Sequence, residues 1–142
     1  MKKFLQKKLK EQKGMTLIEL LAVIVIIAII AAIAIPAIGN IIENSRFGAA
    51  KSDVLNALSA ADLYIAEEDT DPADVGDIVP LYMEASDTLD ATGTTFARAS
   101  STAPITIAGT VTVNGTDYTL PASSKTALSG LSSAEFKDLI TP

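Results

Sequence analysis

The sequence predicts an α+β fold, with a long N-terminal helical spine packed on a small antiparallel β-sheet. Three observations predict it. Residues 15–38 are almost all Leu, Ile, Val or Ala. Residues 39–68 keep apolar side chains at steps of three and four, the period of a helix with one buried face. Beyond Asp90 the texture changes to alternating Thr, Val and Ile around Asn114-Gly115, the pattern of strands joined by a tight turn. The 142 residues suit one modest domain plus an attachment element. They divide into a leader (1–14), an apolar helix (15–38), an amphipathic continuation (39–68) and a globular head (69–142).

The leader is basic. Lys2, Lys3, Lys7, Lys8, Lys10 and Lys13 against Glu11 give it a formal charge of +5, while 5 basic and 16 acidic residues leave the remainder at −11. A basic cluster beside an apolar run sets orientation in a bilayer: the lysines stay in the cytoplasm and the C-terminal part crosses. The acidic remainder argues against direct nucleic-acid binding, which needs basic patches to displace counterions. The chain has no Cys, so no disulfide staples an exported head. It has no His, which removes the commonest general base and a common zinc ligand. No nucleophile–base pair, phosphate loop or metal-ligand spacing is present, so neither enzyme activity nor a cofactor is expected.

Residues 15–38 as a helix reach roughly 36 Å, enough to span a bilayer core of roughly 30 Å. A secretory signal peptide has a shorter apolar stretch with a small-residue cleavage site after it. Ala31, Ala32 and Ala34 offer such a site, but the run is long and continues past Pro36. A plain signal anchor explains the lysines and the length, yet leaves Glu19 without a reason. A carboxylate near the middle of a bilayer costs about 3 kcal/mol, and less near an interface. The apolar run contains no Lys or Arg to partner it. Cleavage after Gly14 would create one, the α-amine of Met15, with a reference pKa of about 7.7. Glu19 could pair with that amine on a neighbouring copy, or within one chain across a single helical turn.

Lys13-Gly14-Met15-Thr16-Leu17-Ile18-Glu19-Leu20 resembles the class III signal and cleavage site of type IV prepilins and pseudopilins. The resemblance covers roughly the first 45 residues, with Met15 where that family usually has Phe. It implies that a membrane aspartyl peptidase, the prepilin peptidase, cuts after Gly14 and methylates Met15. It implies that Glu19 is the assembly residue and that Pro36 is the proline of the apolar helix. Pro36 removes the helical hydrogen bond to the Ala32 carbonyl, and Gly39 adds backbone freedom. Those two residues read either as a kink at the membrane exit or as a section that melts when helices pack in a filament.

In the continuation, Phe47, Ala50, Val54, Leu58, Ala61 and Ile65 form the expected buried stripe, with Glu43, Lys51, Asp53 and Asp62 largely off it. Glu67, Glu68, Asp69, Asp71, Asp74 and Asp77 surround Pro72. A calcium loop starting at Asp69 fails, because Asp74 stands at the required glycine and Pro80 at the bidentate Glu. A solvated acidic loop is the expectation. Residues 72–83 read as a short helix capped by Asp69 or Asp71, with Val75, Ile78, Val79 and Tyr82 inward. A strand is expected near Thr94 to Ser100. Ile105 to Val113 and Thr116 to Leu120 form a hairpin about a type I′ Asn-Gly turn, and Gly109 marks a bulge or break. Ser132 and Glu135 spell a capping box that opens a last helix bearing Phe136, Leu139 and Ile140. The resemblance makes this architecture a pilin fold. The missing disulfide hints at a Gram-positive source.

The function expected from the resemblance is a structural subunit, a major pilin. It would polymerise into extracellular type IV pilus filaments for adhesion, aggregation or twitching. Its implied partners are further copies of itself, the prepilin peptidase, an assembly platform with its ATPases, and the membrane before assembly. Its implied location is the cytoplasmic membrane as a precursor, then the cell surface. A competence or secretion pseudopilin is the near alternative. A non-polymerising, membrane-anchored extracytoplasmic binding domain is the distant one, and Glu19 separates it from the other two.

Overall fold

The computed structural model describes residues 17–142. The chain divides into two compact units, Met1–Asn40 and Ile41–Pro142. Helix α1, Leu17–Glu68, contributes to both. After it come α2 (Val75–Ile78), β1 (Thr95–Ala97), β2 (Thr106–Val113), β3 (Thr116–Ser124), α3 (Lys125–Ser129) and α4 (Ser133–Leu139). The fold is α+β, with a long helix and a three-stranded antiparallel sheet in the order β1-β2-β3.

From Leu17 to Asn40, α1 is apolar all round, and only Ala31 and Ala34 are even partly covered. It is the one described helix long and apolar enough to cross a membrane. In the second unit the same helix becomes one-sided. Phe47, Ala50, Val54, Leu58 and Ala61 are buried, as the stripe predicts, whereas Ile65 is only half-buried. Ala57 and Ala60 widen the stripe. Against it pack Phe96 of β1, Ile107, Val111 and Val113 of β2, and Leu120 of β3. Phe47 meets Tyr118 edge-on at 5.4 Å between ring centres, a geometry that sets the positive ring edge against the negative ring face. The helix closes at Asp69, which turns to φ 54° while its N–H reaches the Ile65 carbonyl.

The helix expected over residues 72–83 is much shorter. Only Val75–Ile78 is helical, and Asp74 is its N-cap rather than Asp69 or Asp71. The Asp77 carboxylate accepts from the Ala73 N–H at 2.7 Å, which ties down the entry. Pro80 explains the early end: it has no N–H for the ladder and pushes Val79 into extended geometry (φ −98°, ψ 136°). Val75 and Ile78 do face inward, while Val79 and Tyr82 are half-buried.

The hairpin turn is the two-residue kind expected, with Asn114 at φ 56° and Gly115 at φ 76°. Gly109 sits at φ 143° beside a bulge between Ile107 and Gly109. A Cβ there would lie 2.2 Å from the Gly93 carbonyl oxygen, so only glycine fits. Next to it the buried Thr94 hydroxyl donates to the Thr110 carbonyl at 2.9 Å. Strand β3 continues past Leu120 through Pro121 to Ser124. A proline is tolerated because β3 is the edge strand. Thr119 points its N–H and C=O away from β2 towards Thr141, and Pro121, two residues on, leaves its missing N–H on the same side.

The chain end folds back on the head. In α4 the capping box is present: Glu135 accepts from the Ser132 N–H at 2.7 Å, and the Ser132 hydroxyl accepts from the Glu135 N–H at 3.2 Å. Those bonds hold the Glu135 carboxyl below its ordinary value. Phe136 and Ile140 enter the core. Lys51 donates to the carbonyls of Ser129 and Leu131, tying this segment to α1. Lys137 bonds Glu43 at 2.8 Å and lies 5.6 Å from the centre of the Phe47 ring. Noncovalent contacts of this kind do in this cysteine-free chain what a staple does elsewhere.

Candidate functional site

The residues singled out for function lie on or next to the first part of α1. Gly14 and Met15 are outside the described residues. Glu19 is in the first turn of the described helix and is exposed. Around it are Leu17 at 88% exposure, Ile18 at 74%, Leu20 and Val23. A carboxylate is thus set in a continuous band of branched aliphatic side chains, which raises the cost of leaving its charge unmatched in any apolar medium.

Pro36 lies inside α1, and the helix continues through it to Glu68. The Ala32 carbonyl loses its usual donor there, because a proline nitrogen carries no hydrogen. Gly39 follows one turn later, and a Cβ added to it would meet nothing within 4 Å. Nothing packed against Gly39 in the described chain therefore demands a glycine. What it contributes is a weaker helix: glycine costs about 1 kcal/mol relative to alanine in a helix interior. Three residues apart, Pro36 and Gly39 are two weak links in one turn of an otherwise strong helix.

Several polar groups of the second unit have structural partners. Arg98 pairs with Asp71, Lys125 with Asp62, and Ser86 donates to Asp53. The Tyr82 hydroxyl donates to Glu67 at 2.9 Å, and that bond pushes its pKa up to about 12. Asp90 accepts from Thr92 and is held below its ordinary value. No group of carboxylates among the described residues is arranged to hold a metal ion.

Comparison with known families locates the signal where Glu19 stands. Residues 9–35 carry a prokaryotic N-terminal methylation motif. The motif spans Lys10, Lys13, Gly14, Met15, Glu19 and most of the apolar run, and stops just short of Pro36. Such a motif indicates a type IV pilin- or pseudopilin-like precursor, and the apolar helix is long and apolar enough to anchor one in a membrane. It implies processing by a prepilin peptidase and handling by pilus assembly machinery, and it points to a structural protein. No curated protein and no solved structure matches the chain. The head beyond the methylation motif therefore rests on its own architecture.

Proposed function

We propose that the protein is a structural subunit, a major pilin, that polymerises into extracellular type IV pilus filaments serving adhesion, aggregation or twitching. The observation that carries this is Glu19, an exposed carboxylate in an apolar helix, inside a methylation motif and four residues after Met15.

The precursor sits in the cytoplasmic membrane with its lysines on the cytoplasmic side. Prepilin peptidase cuts between Gly14 and Met15 and methylates the new amine. That amine is largely protonated near neutral pH. Pairing it with Glu19 of an adjacent copy neutralises two charges that neither lipid nor an apolar bundle solvates. The pairing also fixes register, since only one axial offset brings the two groups together. As copies pack, the turn holding Pro36 and Gly39 yields, because it has a missing hydrogen bond and a residue of low helix propensity. The assembly platform and its ATPases supply the work of extraction.

Glu19→Ala is the direct test. The variant is expected to be cleaved at Met15, as read by mass spectrometry of the N-terminus, but to yield no surface filaments by electron microscopy. Normal filaments from this variant would remove the pairing mechanism. A native chain that retains Met1, or one cut after Ala34, would remove the reading as a whole.

A further inference from the structure

The sequence holds four asparagines: Asn40, Asn44, Asn56 and Asn114. Three lie inside α1, where the following residues are Ile41, Ser45 and Ala57. In a helix the next amide is engaged in the ladder, and a side chain on that residue crowds its nitrogen. Asn114 differs on every count. It occupies the tip of the β2–β3 hairpin, is exposed, and is followed by an exposed Gly115. No described residue hydrogen-bonds its carboxamide or the Gly115 N–H. The space where a Cβ of Gly115 would stand is open.

We propose that Asn114 is a self-modification site, converted in the folded protein to aspartate and isoaspartate through a cyclic imide with Gly115. The Gly115 backbone nitrogen, giving up its proton to solvent base, attacks Cγ of Asn114. A new N–Cγ bond forms, the bond from Cγ to the amide nitrogen breaks, and ammonia leaves. Water then opens the ring. Addition at Cγ breaks the new bond and gives aspartate on an unchanged backbone. Addition at the main-chain carbonyl breaks the original peptide bond and routes the backbone through Cγ, giving isoaspartate. Water is the only co-reactant, and no oxidant or reductant is required.

The two products act differently on the hairpin. Aspartate tolerates the left-handed region that Asn114 occupies, so the turn persists with one more negative charge. Isoaspartate lengthens the loop by one backbone carbon. The Val113–Thr116 pair that closes the turn then loses its register. The partition between the two is set by how the ring opens, so it is the fraction of Asn114 converted that records how long a copy has existed since synthesis. This inference is independent of the filament reading.

The test is to hold the full chain, in detergent micelles and mildly alkaline buffer at body temperature, and to map peptides by mass spectrometry with chromatographic separation of the two products. Asn114 is expected to lose its carboxamide at least about tenfold faster than Asn40, Asn44 or Asn56, since only there is the next nitrogen outside a helix and free of a neighbouring side chain. Asn114→Gln, checked for folding by circular dichroism, should abolish the signal. Asn114 lasting as long as the helical asparagines would overturn the proposal. So would conversion seen only in denaturant. A carbohydrate on the Asn114 nitrogen of native protein would overturn it as well, because Asn114-Gly115-Thr116 also has the spacing of a glycan acceptor and the occupied amide could not leave.

Discussion

Helix α1 serves two environments with one backbone, and its two parts solve opposite problems. In Met1–Asn40 the described residues expose Ile, Leu and Val on every side: Ile33 is 70% exposed and Ile27 58%. In Ile41–Pro142 the apolar side chains gather on one face, and Leu58 and Phe136 are fully buried. A uniformly apolar helix needs lipid or other helices around it, whereas a striped one finishes its own core. Apolar content alone therefore does not say what a helix does. Its angular distribution does.

The sharpest break of this contrast is Gly109→Ala, which strikes the folded unit at its tightest point. The added carbon would meet both the Gly93 carbonyl and the Thr94 Cα, on a backbone at φ 143°. A loss above about 4 kcal/mol is expected in denaturant unfolding followed by circular dichroism, a size kept for strain and overpacking. Phe136→Ala against Ile27→Ala then tests the contrast pairwise. The first should cost about 3–5 kcal/mol of head stability by leaving a cavity. The second should change it by less than about 0.5 kcal/mol. Equal effects from the two would erase the distinction between the units.

Smaller effects refine the picture at the ends of elements. Ser132→Ala removes the cap of α4 and should cost about 1 kcal/mol. Its partner Glu135 has a depressed folded pKa. Its contribution is therefore present above the ordinary value of 4.5 and is lost as pH falls through the lower folded value. A melting-temperature series in acid should show a shallower decline for Glu135→Gln than for the parent. Tyr82 runs the other way. Its raised pKa contributes stability below the ordinary value of 10.0, lost as pH rises through about 12. Tyr82→Phe should flatten that alkaline limb, and no change in its slope would count against the Glu67 bond.

The sequence made much of this legible because several signals are local. The stripe from Phe47 to Ala61, the Asn114-Gly115 turn and the Ser132–Glu135 box each act over a few residues, and each appears in the structure. The less legible parts depend on partners distant in sequence. Ala57 and Ala60 are buried because they join a core built from residues distant in sequence, and alanine itself does not announce a side. Helix α3 was not expected, although Ser124 caps it by accepting from Ala127 and Gly130 ends it, because five residues are too short for a periodic signal. Strand β3 runs through Pro121 because it is an edge, which only the topology reveals. At the candidate site, Glu19 stands out in the sequence for being charged in an apolar run. Gly14 and Met15 are read from the motif in which they stand.

The free side of β3 has one more consequence. Among the described residues its line of backbone groups meets Thr141 and is then interrupted by Pro121. An open strand edge is a template on which identical chains stack indefinitely. Here a second copy arriving edge to edge would find one position occupied and the next without a donor. Pairing through the β3 edge, one route to amyloid-like ladders, is thus hindered by the chain itself.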